Sequence, residues 1–163
     1  MSTAPLRRTD KEMSVDDVNA LLARAVSLRL ATIGADGWPY VLPLLFVRLD
    51  DELFVHTTRA DGHFRRNVQH DPRVCFELDE PGEVFGYGAT LCDTSIAYRS
   101  VIGYGVIREV DERESKERFC TALMRKYAGH IQGRPEGVFP RLDFIRVYAV
   151  TIERMTGKQT PAR

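Results

Sequence analysis

The segment LRLATIGADGWPYVLPLLFVRL, residues 28–49, constrains this chain more than any other. Two runs rich in apolar and β-branched residues flank Asp36-Gly37, a dipeptide suited to the positive φ angles of a tight hairpin turn, so the segment reads as strand, turn and long strand. Pro39 and Pro43 each lack an amide donor, which gives the second strand an edge or an irregular stretch where those donors are not missed. LFVHTT, residues 53–58, follows Asp50-Asp51-Glu52 as a third strand, and residues 28–58 read as a meander.

Around this meander the chain alternates more strands with a few helices. Ser14, with Asp17 three residues on, has the form of a helix N-cap, and Val18, Leu21, Leu22, Ala25 and Val26 recur at helical spacing. ADGHFRRNVQHDPR predicts a short helix after Gly62, with Val68 on its buried side and Asp71-Pro72 ending it. RVCFELDE and SVIGYGVIREV are strands. Residues 81–97 read partly as a connection and partly as a poorly patterned strand. Asp111 with Glu114 opens another helix, whose apolar stripe is Phe119, Ala122, Leu123 and Tyr127, and DFIRVYAVTIERM is a last strand. Six or seven strands joined mostly by short turns, with two main helices, predict a mainly β fold: a small antiparallel barrel with peripheral helices. Residues 1–13 read as a mobile N-terminal arm, 14–158 as one domain and 159–163 as a C-terminal tail.

At 163 residues, one domain is the expected count. The 23 basic and 23 acidic side chains cancel, so no overall field draws the chain to nucleic acid or an anionic membrane. No apolar run approaches a membrane span, and a soluble cytoplasmic protein is the expectation. Cys75, Cys92 and Cys120 are odd in number and widely separated, which argues against a disulfide framework or a zinc knuckle. His56, His63 and His70 recur every seven residues, but the first lies on a strand and the last beyond the helical turn, so a shared metal is not expected. Gly86, Gly88, Gly103 and Gly105 do not form a dinucleotide-binding fingerprint. Trp38, beside the hairpin turn, reads as a rim packing residue.

The stretch most able to carry chemistry is His56-Thr57-Thr58 and the His63-Phe64-Arg65-Arg66-Asn67 that follows. A hydroxyl-rich strand end leading into a helix N-terminus offers donors and a positive dipole end to an anion such as phosphate. His63, Arg66 and Asn67 are three and four residues apart and could converge on one face; the alternative is a solvated helical turn.

The ordered set ATIGADGWPYVLPLLFV, LFVHTT, GHFRRNVQHDPRVCFELDE, YRSVIGYGVIREVDE and VYAVTIERMTGK resembles the pyridoxamine 5'-phosphate oxidase-like FMN-binding superfamily, in particular its nitroimidazole-resistance type branch. The resemblance implies a split β-barrel, a homodimer, and FMN at the subunit interface. It lays the backbone of Pro43, Leu44, Leu45 and Phe46 along the flavin ring edge. His56, Thr57, Thr58, His63, Arg66 and Asn67 would hold the phosphate and ribityl chain, and Tyr98, Arg99, Ser100 and Val101 would reach the flavin from the partner subunit. Phe64 stands where the resemblance leads one to expect a lysine. Its presence removes a phosphate cation, so that either Arg66 or Arg99 substitutes or FMN binds more weakly.

The implied activity is an FMN-dependent oxidoreductase that takes two electrons from NAD(P)H or another reductant at flavin N5. It would pass them to a small organic acceptor, for which a nitroaromatic is one candidate. His56 is the candidate catalytic residue, as proton donor or substrate-orienting group, and otherwise a hydrogen-bonded strand-end histidine. The rivals are a non-enzymatic flavin- or haem-binding module, with His56 or His63 as axial ligand, and pyridoxamine phosphate oxidation, which needs a second basic pocket. A deazaflavin in place of FMN is a further alternative.

Overall fold

The computed structural model describes residues 6–131, 133, 135 and 137–161. Ser14 caps α1 (Val15–Arg24): its Oγ accepts from the Asp17 amide at 3.1 Å and donates to the Asp17 carboxylate at 2.7 Å. Asp16 and Asp17 in the first turn and Arg24 in the last suit the helix dipole. Strands β1 (Leu28–Ile33) and β2 (Pro39–Leu44) form the expected hairpin, with Gly37 at φ 80° and its amide on the Gly34 carbonyl at 2.9 Å.

The long strand expected after the turn is in fact two. It breaks at Leu45, and β3 (Phe46–Leu49) pairs with β4 (Glu52–Thr58) while β2 pairs with β1. Residues 28–58 are therefore two hairpins and not a continuous meander. Helix α2 (His63–His70) leads to β5 (Arg73–Gly86) and β6 (Thr94–Val110), the longest hairpin of the fold, which absorbs most of the 81–97 stretch read as a connection. After α3 (Arg113–Ala128), β7 (Ile145–Thr160) closes the chain and runs five residues past the strand expected from its pattern, taking in Gln159 and Thr160 of the segment read as a tail. Residues 6–13 of the segment read as an arm include a 3-10 turn at Thr9–Lys11 and a buried Met13, whose amide donates to the Gly157 carbonyl at 3.0 Å. The rest of that segment, residues 1–5, lies outside the described residues.

The seven strands form one antiparallel sheet in the order β2-β1-β5-β6-β7-β4-β3. Its two ends, β2 and β3, are neighbours in sequence through the single residue Leu45, so the sheet must curl until its edges meet: Cα atoms two residues apart span at most about 7 Å. The expected barrel with peripheral helices is the observed one. β2 is a terminal strand, where Pro39 and Pro43 are tolerated.

Alternation along the strands divides the apolar side chains between two cores. The barrel interior holds Leu30, Phe46, Val55, Phe76, Leu78, Val101 and Tyr148, all fully buried or nearly so. Gly103 lies against Phe76 so closely that a Cβ there would enter the ring. The opposite face, under α3, packs Phe54, Val147 and Ala149 against Phe119, Cys120 and Leu123.

Candidate functional site

Strand β4 ends beside the start of β7, with Thr57 paired to Arg146 and Thr58 to Ile145. Paired residues of antiparallel strands share a face, so Thr57, Arg146, Val55 and Tyr148 lie on one side of the sheet and His56 on the other. The Arg146 guanidinium binds the Glu109 carboxylate at 2.5 Å and donates to the Arg59 carbonyl at 3.2 Å. Arg65 of α2 approaches Glu109 at 3.5 Å and Asp61 at 2.8 Å, and Arg66 donates to the Asp61 carbonyl at 3.0 Å. Arg59 donates in turn to the Asp143 carbonyl at 3.0 Å.

The Arg65 and Arg146 guanidinium groups thus stand against the carboxylates of Asp61 and Glu109, with Arg59 and Arg66 on backbone carbonyls beside them, next to Thr57 and the N-terminus of α2. The hydrogen bond from Arg65 holds the Asp61 carboxyl below its ordinary range. Tyr148 is wholly buried beside Thr57, and its hydroxyl closes no hydrogen bond of good geometry among the described residues. Burial pushes the phenol's pKa up, with the Thr57 hydroxyl offsetting part of the shift. The arrangement can hold an anion through charge-assisted hydrogen bonds, and its donors suit a phosphate monoester.

Within α2, His63 and Arg66 are exposed, with the His63 ring 5.5 Å from that of Tyr40 on β2. Asn67 turns inward: it is 5% exposed and its amide donates to the buried Thr32 hydroxyl at 3.1 Å, locking α2 to β1. Phe64 is likewise buried, packed edge-on to Tyr148 with ring centroids 5.1 Å apart. That position points into the barrel, so the cations of this region come from Arg59, Arg65, Arg66 and Arg146. Three of these were missed in the sequence: Arg59 and Arg65 sit beside the expected Thr58 and Arg66, whereas Arg146 is 87 residues from Arg59 and only the β4–β7 register joins them.

His56 packs over α3, its ring 5.6 Å from Phe119. Its Nδ1 is buried without a hydrogen-bond partner among the described residues, and burial lowers its pKa. It is not grouped with Thr57, His63 and Arg66. Pro43 and Leu45 are exposed at the β2–β3 break, Leu44 is half-buried, and Phe46 is fully buried.

Tyr98, Arg99 and Ser100 pair with Thr160, Gln159 and Lys158, at the far end of β7 from Arg146. Twelve residue steps separate Arg146 from Lys158, about 40 Å along a strand, so one chain does not bring the two groups together. Arg99 is exposed and lies 3.6 Å from Glu80, while the Val101 side chain is core. Tyr98 and Arg99 line a cleft of about 480 Å³ with Pro81, Glu83 and Thr160. A cleft of about 870 Å³ lies elsewhere, between α1, β3 and α3, and none of the residues expected at a flavin lines it.

The fold is that of a split β-barrel. The family model described as pyridoxamine 5'-phosphate oxidase matches residues 14–159, and the chain belongs to that family. Among solved structures, a candidate 5-nitroimidazole antibiotic resistance protein from Bacteroides thetaiotaomicron is similar at 20% identity, covering 91% of this chain and 86% of that one with a TM-score of 0.75. The conserved hypothetical protein Rv2991 from Mycobacterium tuberculosis is 23% identical over 98% and 96% of the two chains, with a TM-score of 0.76. The flavocytochrome Anf3 from Azotobacter vinelandii is 17% identical over 98% and 74%, with a TM-score of 0.77. No curated protein matches. None of the helices among the described residues is long and apolar enough to cross a membrane.

Proposed function

We propose that this chain binds FMN between two copies of itself and acts as a flavin-dependent oxidoreductase on a small organic acceptor, with a nitroaromatic as one candidate. The observation that carries this reading is the four-arginine cradle at the β4 end and the α2 start, in a fold whose solved relatives include a flavocytochrome. Arg146, Arg66, Thr57, Thr58 and the first amides of α2 would hold the phosphate, and the backbone of Pro43–Phe46 would line the ring edge. Bound flavin supplies reversible two-electron chemistry, and the protein's part is to orient it and exclude water. His56, kept neutral by burial, would orient an acceptor or donate a proton.

The roughly 46 Å between Thr57 and Tyr98 along β7 supports the dimer, because a second copy can supply Tyr98, Arg99, Ser100 and the Val101 backbone to a site that one chain leaves incomplete. A suitable face exists: Val41, Ile33, Ile102, Tyr104 and Val106 project outward from β2, β1 and β6 and are between 37% and 53% exposed. The electron donor in this reading is NAD(P)H or another reductant.

The test is reconstitution with excess FMN. Visible bands of bound oxidised flavin, bleached by NAD(P)H, are expected, together with at least tenfold weaker FMN binding by Arg146→Met, which loses a charge-assisted contact worth roughly 1.5–3 kcal/mol. Absence of both bound flavin and protection against unfolding would sink the reading. A non-enzymatic haem- or flavin-carrying module is the second reading, favoured by the unpartnered buried Nδ1 of His56. A Soret band after haem reconstitution, lost in His56→Ala, would select it.

A further inference from the structure

The cleft between α1, β3 and α3 is polarised in a way the flavin reading leaves unused. Its floor is apolar, formed by Leu22, Val47, Leu49 and Ala122. Two acids, Glu114 and Glu117, stand at the start of α3, and Glu117 is paired with Arg113 at 2.9 Å. Arg125 and Lys126 stand eight to twelve residues further along the helix, which puts them about 12–18 Å away. The other two cations lining the cleft already have carboxylates: Arg48 lies 3.2 Å from Asp51, and Arg118 lies 3.2 Å from Asp50.

Lys126 has none among the described residues. Its Nζ sits 3.7 Å over the Phe46 ring and donates to the Leu22 carbonyl at 3.2 Å, so a half-buried ammonium is satisfied by a π face and one neutral oxygen. An ammonium removed from water without a counter-ion is electrostatically incomplete, and an open cleft of about 870 Å³ lies beside it. Arg125, next to it on α3, also meets no carboxylate among the described residues.

We propose that this cleft binds a small organic carboxylate, its apolar body against Leu22, Val47, Leu49 and Ala122 and its carboxylate on Lys126 and Arg125. The site does not depend on flavin binding, although Lys126 stacks on Phe46, which adjoins the β2–β3 break, so occupancy there would be felt at Leu45.

The protein as purified is titrated with acetate, hexanoate and 3-phenylpropanoate, and with neutral 3-phenylpropanamide, while amide ¹H–¹⁵N spectra are recorded. Saturable binding is expected to tighten with apolar size, to move the amides of Asn19–Ala23 and Thr121–Lys126, and to be at least about tenfold weaker for the amide than for its acid. Burial lowers the Lys126 pKa to about 8, so carboxylate binding weakens as the pH rises past that value. Lys126→Met keeps the stem over Phe46 and is expected to lower carboxylate affinity about tenfold or more, with Arg125→Gln lowering it less. No saturable binding by any of the three carboxylates, equal affinity for acid and amide, or shifts confined to other elements would overturn the proposal. Should Lys126→Met fail to fold, the wild-type acid–amide comparison and Arg125→Gln decide it.

Discussion

Phe64 shows how a residue's direction outweighs its place in a motif. As a sequence position it is the expected seat of a phosphate cation; in the fold it is 5% exposed and packed on Tyr148 inside the barrel. Phe64→Lys is therefore expected to lower stability by at least about 3 kcal/mol, through the lost aromatic packing and a buried ammonium, and to leave FMN affinity no better. Urea unfolding alongside flavin titration checks both halves. The protonation of His56 also bears on the fold. Its folded pKa lies below the ordinary 6.5, so the unfolded chain binds the proton more readily: its contribution is present above about pH 6.5 and is lost as the pH falls through the lower folded value. Thermal midpoints between pH 7.5 and 5 should fall further in the wild type than in His56→Gln. Ser14 and Asp36-Gly37 were legible in the sequence because cap and turn chemistry is local. Arg146 was not, because its partner Thr57 comes from a strand about 90 residues earlier.

Among the elements, the β2–β3 break is the feature the sequence hides. Pro43 calls for an irregular stretch, but WPYVLPLLFVRL carries no glycine and its apolar run continues through Leu45, so nothing local places the change of partner strand there. The break is fixed from outside. Tyr127 of α3 accepts the Phe46 amide at 3.2 Å, and its hydroxyl lies 2.8 Å from both the Phe46 and Val26 carbonyls, able to donate to one at a time. Tyr127→Phe is expected to cost about 1–3 kcal/mol by leaving the Phe46 amide unpaired, with hydrogen exchange at Phe46 accelerating before that of the β5–β6 ladder. The β5–β6 hairpin was blurred for another reason. Beyond Pro81 β5 is exposed at all positions but Phe85, and across from it only Ala97 of β6 is buried, so little alternation of apolar and polar residues survives to be read.

At the scale of the whole molecule, the outward row of Val41, Ile33, Ile102, Tyr104 and Val106 is the face on which association is argued. The double variant Ile102→Glu, Tyr104→Glu places charges on a solvent-facing part of the sheet, so the isolated fold tolerates it. Sedimentation should then report a monomer where the wild type is a dimer, with flavin binding lost in parallel; a wild type that already sediments as a monomer refutes the shared site. The chain also has an unusual ring-like order. Lys11 reaches the Thr160 hydroxyl at 2.9 Å, so the two terminal segments lie side by side, while the sheet's edges are held together by one peptide unit on each side of Leu45. Rejoining the old ends and cutting at Leu45 would give a permuted chain that keeps every strand pairing yet has no covalent latch. In that sense the barrel is a ribbon with a single clasp, and the clasp lies where the flavin edge is proposed to rest.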